Sequence, residues 1–408
     1  MPQTGMSALL AASFRRDSMR RSISSPRNVI RYHFQGNALK GAKKRRLTMK
    51  KCNAEITVGM DVSDKKINVC MLDSRGEVVG SGEVGNSLDE LRRRFSVFKD
   101  RARVLVAMEA GTHSPWISAG LSDMGFKVLV GNSRKLRSVW ASERKCDERD
   151  AEMIARIARF DSKLFYPIRH LGKESQAMLA VLKARDALVK SRTLMVNSVR
   201  GMLKSMGIAV PSCSAQGFAK QIMESMPPEY LFSLKGTLEI ISQITAQIVE
   251  YDRKVEALCK EKYPETERLR AINGVGPITS LTFVLTIEDP GRFQKSRYVG
   301  PFLGLVPRRE QSGDTDKELG ISKTGNAFMR RLLVQAAQYI LGPFGKDCEL
   351  RRAGLKIAAK GGKAAKKKAV VAVARKLAVL MHRIWLEQSD YDPFFTSNSK
   401  KDSLKKTA

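Results

Sequence analysis

Cysteine is sparse and unpatterned. Six residues (Cys52, Cys70, Cys146, Cys213, Cys259 and Cys348) are spread over 408 positions with no CxxC and no Cys/His cluster. That excludes a zinc ribbon and a disulfide framework, and fits a reducing compartment. Long apolar runs are missing too. None approaches the ~18–20 residues needed to span a bilayer, which argues against an integral membrane protein. Acidic residues are few beside basic ones, 41 against 73, for a formal charge of +32. With 43% hydrophobic and 28% charged residues the composition is that of a globular protein, and the length implies two or three domains. The expectation is a soluble, cytoplasmic, strongly basic protein with a polyanionic partner.

The charge is not confined to tails. Residues 1–50 hold twelve Lys/Arg against one acid, Asp17, and residues 346–408 hold sixteen against six, yet about a third of the excess lies between them. A basic folded middle points to nucleic acid, bound with an affinity that falls steeply with salt. Residues 1–50 lack a hydrophobic period and are rich in Ser and Arg. A transit peptide has that composition; a disordered basic arm, or a start codon upstream of Met49-Lys50-Lys51, fits better. Residues 396–408 read as a disordered tail.

The first domain, 52–165, alternates strand and helix. Ala54–Asp61, Lys65–Leu72 and Glu77–Val84 read as three hairpin-linked strands, with Gly76 and Gly85 as breakers. A helix over Leu88–Phe98 follows, then a strand over Arg103–Glu109, a helix over Trp116–Met124 and a strand over Phe126–Val130. Helices over Ser133–Val139 and Asp147–Phe160 complete it. Three antiparallel strands, then helix and strand in alternation, is the plan of an RNase H-like (RuvC-like) α/β domain. Asp61 and Glu109 end two strands that this plan places side by side. Asp147 and Asp150, three apart, share a helix face. Singly, each acid reads as a turn residue or a helix cap. Together at one sheet edge they would repel strongly unless neutralised, and Mg²⁺ with its oxygen ligands does that. Two such ions ~3.5–4 Å apart would clamp an in-line phosphoryl transfer. His113, in the loop after Glu109, has no partner at ligand spacing and reads as a phosphate or water contact.

Residues 170–265 read as a helical linker. Leu179–Met206 interleaves apolar positions with Lys183, Arg185, Lys190, Arg192, Arg200 and Lys204; Asn197 lies on the same stretch. A face so uniformly positive suits nucleic acid as well as solvent. Ile241, Ile244, Ile248, Tyr251, Val255 and Leu258 recur at spacings of three and four, which predicts a coiled coil within one subunit or between two. In 268–395, helical stretches flank Asn273-Gly274-Val275-Gly276-Pro277, resembling a helix-hairpin-helix turn whose backbone N–H groups at Gly274 and Gly276 can bind a DNA phosphate. A plain interhelical turn has the same look. A polar loop, Arg308–Lys323, then leads into an amphipathic helix, Ala327–Ile340. Ser312-Gly313 in that loop is ordinary turn chemistry, and nothing in the residue type marks Ser312 as a nucleophile.

These motifs together resemble the DEDD-type (RuvC-like) insertion-sequence transposases described as bridge-RNA-guided serine recombinases. The resemblance rests on Gly59-Met60-Asp61-Val62-Ser63, Met108-Glu109-Ala110, Lys145-Cys146-Asp147-Glu148-Arg149-Asp150-Ala151, Arg192-Thr193 with Asn197 to Arg200-Gly201, and Ile272–Pro277. It continues through Gly304–Pro307, Gln311-Ser312-Gly313, Gly320–Asn326 and Arg330–Leu333. It spans about residues 54–395. Cys146 departs from the family's Thr or Ser, and the segment 309–321 is more acidic than usual. The resemblance implies a RuvC-like domain, a coiled-coil linker and a mainly helical transposase domain that cut and rejoin DNA. Asp61, Glu109, Asp147 and Asp150 would bind Mg²⁺. Ser312 would attack DNA and form a covalent phosphoserine link, with Ser322 as the rival. Arg192, Asn197, Arg200, Gly274, Gly276, Lys323, Asn326 and Arg330 would contact nucleic acid. Partners would be the element ends and target DNA, a guide RNA and further copies of the chain, as a dimer or tetramer, on the nucleoid.

Two other enzyme classes share parts of this pattern. Actin-like ATPases have a similar first hairpin, but no second phosphate loop or adenosine-binding glycine pair is found here. A structure-selective, Mg²⁺-dependent junction nuclease of RuvC-like type would use water and leave Ser312 idle. A catalytically dead nucleic-acid-binding relic is a third reading.

Overall fold

The computed structural model describes residues 54–136 and 146–395. The expected basic arm, the tail beyond 395 and the end of the helix expected over Ser133–Val139 lie outside those residues. A six-stranded mixed sheet forms the amino-terminal part. Its strands are β1 (Ile56–Val62), β2 (Lys66–Leu72), β3 (Val78–Gly85), β4 (Val104–Glu109), β5 (Lys127–Gly131) and β6 (Pro167–Ile168), in the order β3-β2-β1-β4-β5-β6. β1, β2 and β3 pair antiparallel, β1 with β4 and β4 with β5 pair parallel, and β6 returns antiparallel on β5. The two-residue β6 carries too little pattern to be read from sequence. Its Pro167 suits the sheet edge, where one strand face needs no N–H donor.

Helices cover both faces. On one, α1 (Leu88–Phe95) and α2 (Ser114–Asp123) seal Val58, Met60, Val106 and Met108 beneath Leu91, Phe95, Ile117 and Leu121. α1 is well specified: Ser87 caps it by accepting from the Glu90 N–H, Asp89 and Glu90 sit in its first turn, and Arg92–Arg94 in its last, all matching the helix dipole. On the other face lie the short α3 (Ser133–Leu136) and α4 (Asp147–Phe160), with Ala151, Ile154, Ala155, Ile157 and Ala158 buried against the strands. α4 comes unusually close. A Cβ at Gly59 of β1 would lie 2.1 Å from the Ala151 carbonyl oxygen and 2.6 Å from the Ala155 nitrogen.

The rest is mostly helical, as expected. α5 (Lys173–Ser205) and α7 (Pro228–Glu261) run antiparallel, tied by a two-pronged Arg185–Asp252 ion pair at 2.7 and 3.3 Å, with α6 (Phe218–Ser225) over one end. Ile241, Ile248 and Val255 of the expected heptad stripe are buried in this pair; Ile244, Tyr251 and Leu258 are half-buried. The stripe thus packs within the chain. At the other end Leu179, Leu182, Val255 and Cys259 share a core with Leu281 and Leu285, so the helical pair is rooted in the carboxy-terminal part.

That part contains α8 (Glu265–Arg270), α9 (Pro277–Ile287), α10 (Val299–Phe302), α11 (Ala327–Leu341), α12 (Glu349–Ala358) and α13 (Gly362–Glu387) around one core. The polar loop expected over Arg308–Lys323 is instead a β-hairpin, β7 (Pro307–Ser312) with β8 (Thr315–Ile321). Every residue of β7 is exposed, so no apolar alternation announces it. Opposite charges face each other across the ladder: Arg309 with Glu318, Glu310 with Lys317, and a side-chain ion pair joins Arg309 to Asp316. No helix among the described residues is long and apolar enough to cross a membrane.

Candidate functional site

The parallel register of β1 and β4 aligns Met60 with Met108, so Asp61 and Glu109, next along, end neighbouring strands together. Side chains alternate along a strand. Gly59 and Ala107 face α4, and the same parity turns Asp61 and Glu109 to that face. Two bonds fix the direction of α4. Arg156 Nη1 donates to the Gly76 carbonyl at 3.2 Å and Arg159 donates to that of Ser74, both in the turn after β2, at the amino end of β1. The helix therefore runs antiparallel to β1, and its first turn, with Asp147, Glu148 and Asp150, lies at the carboxyl end where Asp61 sits. Acids in a first turn also complement the helix dipole.

All four expected acids thus share one edge. They do not yet enclose a point. Among the described residues no group of three His, Cys, Asp or Glu side chains is close enough to hold a metal ion. Mutual repulsion of carboxylates favours such spreading, and a cation already lies beside one of them. Lys66, at the start of β2, is ion-paired with Glu83 and feels the charge of Asp147 and Glu148. The Glu83 bond foremost, with the two α4 acids adding, raises the Lys66 pKa. The donor set itself, four carboxylates, matches a hard divalent cation.

The rim carries a chain of bonds that sequence reading missed. Asp64 Oδ1 lies 2.9 Å from His113 Nε2, and the Trp116 indole N–H donates to His113 Nδ1 at 3.2 Å. Since Nδ1 accepts, Nε2 carries the proton toward Asp64. His113, expected as a phosphate or water contact, ties the β1–β2 turn to α2. Behind it the buried Ser114 hydroxyl meets the Gly111 carbonyl at 2.8 Å and His170 Nε2 at 2.9 Å; burial lowers the His170 pKa.

Ser312 lies in the carboxy-terminal hairpin. It ends β7 beside a two-residue turn, Gly313-Asp314, whose first residue has φ +53°, as a type II′ turn requires. Ser312 is exposed and pairs with Thr315 across the ladder. The base of the hairpin meets the amino-terminal part where Arg134 Nη1 donates to the Lys323 carbonyl at 3.5 Å. Ser322 bonds Thr324 at 3.1 Å.

The other candidates divide. Lys323 (φ +53°) and Asn197 are exposed. Arg192 is half-buried against Thr245, and Arg200 lies over the Phe218 ring at 5.2 Å. Asn326 caps α11, accepting from the Phe328 and Met329 N–H groups and donating to Thr286. Arg330 clamps the Leu303 and Thr324 carbonyls at 3.0 and 2.7 Å, and burial lowers its pKa. Gly274 (φ +88°) seats its turn on Tyr339 of α11, whereas a Cβ at Gly276 would meet open space.

Known proteins match this arrangement along most of its length. A transposase model matches residues 58–208, and the model described as "Transposase IS116/IS110/IS902 family" matches 266–346. The transposase for insertion sequence element IS1328 of Yersinia enterocolitica is 31% identical over 263 residues, which cover 62% of this chain and 77% of that one. The chain belongs to the IS116/IS110/IS902 family of transposases. This transposase is also 28% identical over 362 residues to that of element IS1111A from Coxiella burnetii, spanning 86% of this chain and 94% of the relative. A probable family 20 transposase of Pseudomonas aeruginosa is 26% identical over 294 residues. The protein is an enzyme that acts on DNA.

Proposed function

We propose that this transposase moves an insertion sequence by phosphoryl transfer on DNA, with Asp61, Glu109, Asp147 and Asp150 as ligands of Mg²⁺ and Ser312 as nucleophile. The observation that carries it is the antiparallel setting of α4, which lays Asp147 and Asp150 at the sheet edge that ends in Asp61 and Glu109. The bound metal would supply Lewis-acid stabilisation of charge on the phosphate oxygens. Ser312 Oγ forms a bond to phosphorus as one P–O bond of the DNA backbone breaks; its proton leaves to a base and the departing alkoxide takes one up. Energy of the broken ester is held in the phosphoserine link, so the DNA can be rejoined.

Ser312 at an exposed hairpin tip, on a different element from the acids, supports a composite site that closes when DNA docks or when a second copy brings its own edge. A homo-oligomer and a structured guide RNA, recognised through shape and backbone, complete this reading. Lys323, Asn197 and the open turn at Gly276 are the phosphate contacts it retains, while Arg192, Arg200, Asn326 and Arg330 act by shaping the elements that bear them. The test is incubation of protein, Mg²⁺, RNA and end-labelled DNA. Label should become covalently attached to wild-type protein and not to S312A; DNA cut with no adduct would establish the junction-nuclease reading instead.

A further inference from the structure

The face opposite α4 holds a cleft of about 770 Å³ between α1, α2 and the first turn of α5. Its floor is apolar, from Leu88, Gly120 and Met124. Its rim is cationic, from Arg92, Arg101 and Lys173, against a single carboxylate, Asp123. Trp116 stands at one end, 36% exposed. Its indole N–H is already bonded to His113, so the ring brings the cleft aromatic surface rather than a free donor. From Trp116 to Met124 the cleft follows α2 for about 12 Å, at ~1.5 Å per residue.

Two of the three cations are loosely held, while Arg101 donates to the Met124 carbonyl at 3.1 Å. Arg92 pairs with Asp89 at 2.9 Å and Lys173 with Asp123 at 3.4 Å, all four side chains more than half exposed. Such pairs contribute little and exchange readily for a phosphate. An aromatic platform, an apolar floor and a rim of cations are the features that recognise an unpaired nucleotide: the base stacks and the backbone follows the charge. A duplex, whose bases are already stacked, has nothing to place on Trp116. The position adds a direction. Trp116 is bonded through His113 to Asp64, three residues beyond Asp61, so the cleft opens at the rim of the carboxylate edge.

We propose that this cleft binds an unpaired nucleotide of the nucleic acid at the carboxylate edge, its base stacked on Trp116 and its phosphates held by Arg92 and Lys173. The proposal rests on the DNA-processing reading above and names the part of the substrate that leads away from the site. Strand separation next to the cut would leave such a nucleotide, whether from DNA or from a guide.

The test is fluorescence anisotropy of the full-length protein, with chelator present to prevent cutting, on labelled pyrimidine octanucleotides in deoxy and ribo forms and on a blunt duplex. W116A should bind single strands about tenfold more weakly, within the range of one lost base–aromatic stack, and the duplex as wild type does. W116F keeps a ring and loses the bond to His113, so it should stay close to wild type. R92Q/K173Q should flatten the dependence of log affinity on log salt by about 1.4, near 0.7 for each phosphate contact removed. Whichever sugar shows the Trp116 dependence identifies the source of the nucleotide. Equal single-strand binding by W116A, or an equal loss on duplex, overturns the proposal. Serine adducts formed without Trp116-dependent binding would refute the cleft alone; Trp116-dependent binding without adducts would refute the nucleophile alone.

Discussion

One methyl group at position 59 tests whether the closeness of α4 to the sheet sets the carboxylate geometry. In G59A the new Cβ would sit 2.1 Å from the Ala151 carbonyl oxygen, 2.6 Å from the Ala155 nitrogen and 2.9 Å from the Ala155 Cβ. Ordinary contact begins near 3.4 Å, so the α4 backbone must retreat by about 1.3 Å. Overpacking of this kind costs about 1–3 kcal/mol. The obstacle is helix backbone, which cannot rotate away as a side chain can, and the upper half of that range applies. With ~5–15 kcal/mol of total stability most molecules stay folded. The same retreat moves Asp150, next to Ala151, and Asp147, one turn before it, away from Asp61 and Glu109. A misplacement of about 1 Å costs on the order of a hundredfold in rate. Urea denaturation should therefore show a loss of about 2–3 kcal/mol, and Mg²⁺-dependent DNA scission per folded molecule should fall about a hundredfold. A155G in the same chain removes only the Cβ contact and leaves the carbonyl, so rescue should be partial. A G59A protein with wild-type midpoint and wild-type scission would refute the argument.

Mixing D61N and S312A subunits, each inactive alone, should restore adduct formation if the acids and the serine meet across subunits; failure to complement, with both variants still assembling, counts against a shared site. Asn326→Ala removes the α11 cap and should cost about 1 kcal/mol in thermal or urea unfolding, without a large change in the salt dependence of DNA binding. His382 is fully buried on α13 with its ring nitrogen 2.9 Å from the Pro290 carbonyl, and burial lowers its pKa. The neutral ring is therefore the folded form, its stability contribution intact above the unfolded value near 6.5 and lost as pH falls below it toward the folded value. Urea midpoints measured from pH 7 down to pH 5 should drop, and the drop should shrink in H382Q.

What the amino-acid sequence determined by itself was whatever a local period or terminal residue could carry. The alternating strands before Asp61 and Glu109, the helix that begins at Asp147, the helical stripe from Ile241 to Leu258 and the basic charge all follow from nearest-neighbour chemistry and repeat. Tertiary structure decided what depends on partners distant in the chain. The β7–β8 hairpin is held by charges facing across it, with no apolar side to betray it. Whether Arg192, Arg200, Asn326 and Arg330 face solvent or the chain's own carbonyls depends on helices packed against them. The Asp64–His113–Trp116 chain joins two loops 49 residues apart. Above all, the direction of α4 across β1, set by a glycine opposite alanines and by arginines bonded to a far turn, is what takes two acids at a helix start to the edge where two strands end. A sequence pattern names which residues can carry charge to a site; only packing chooses the end of the sheet at which they arrive.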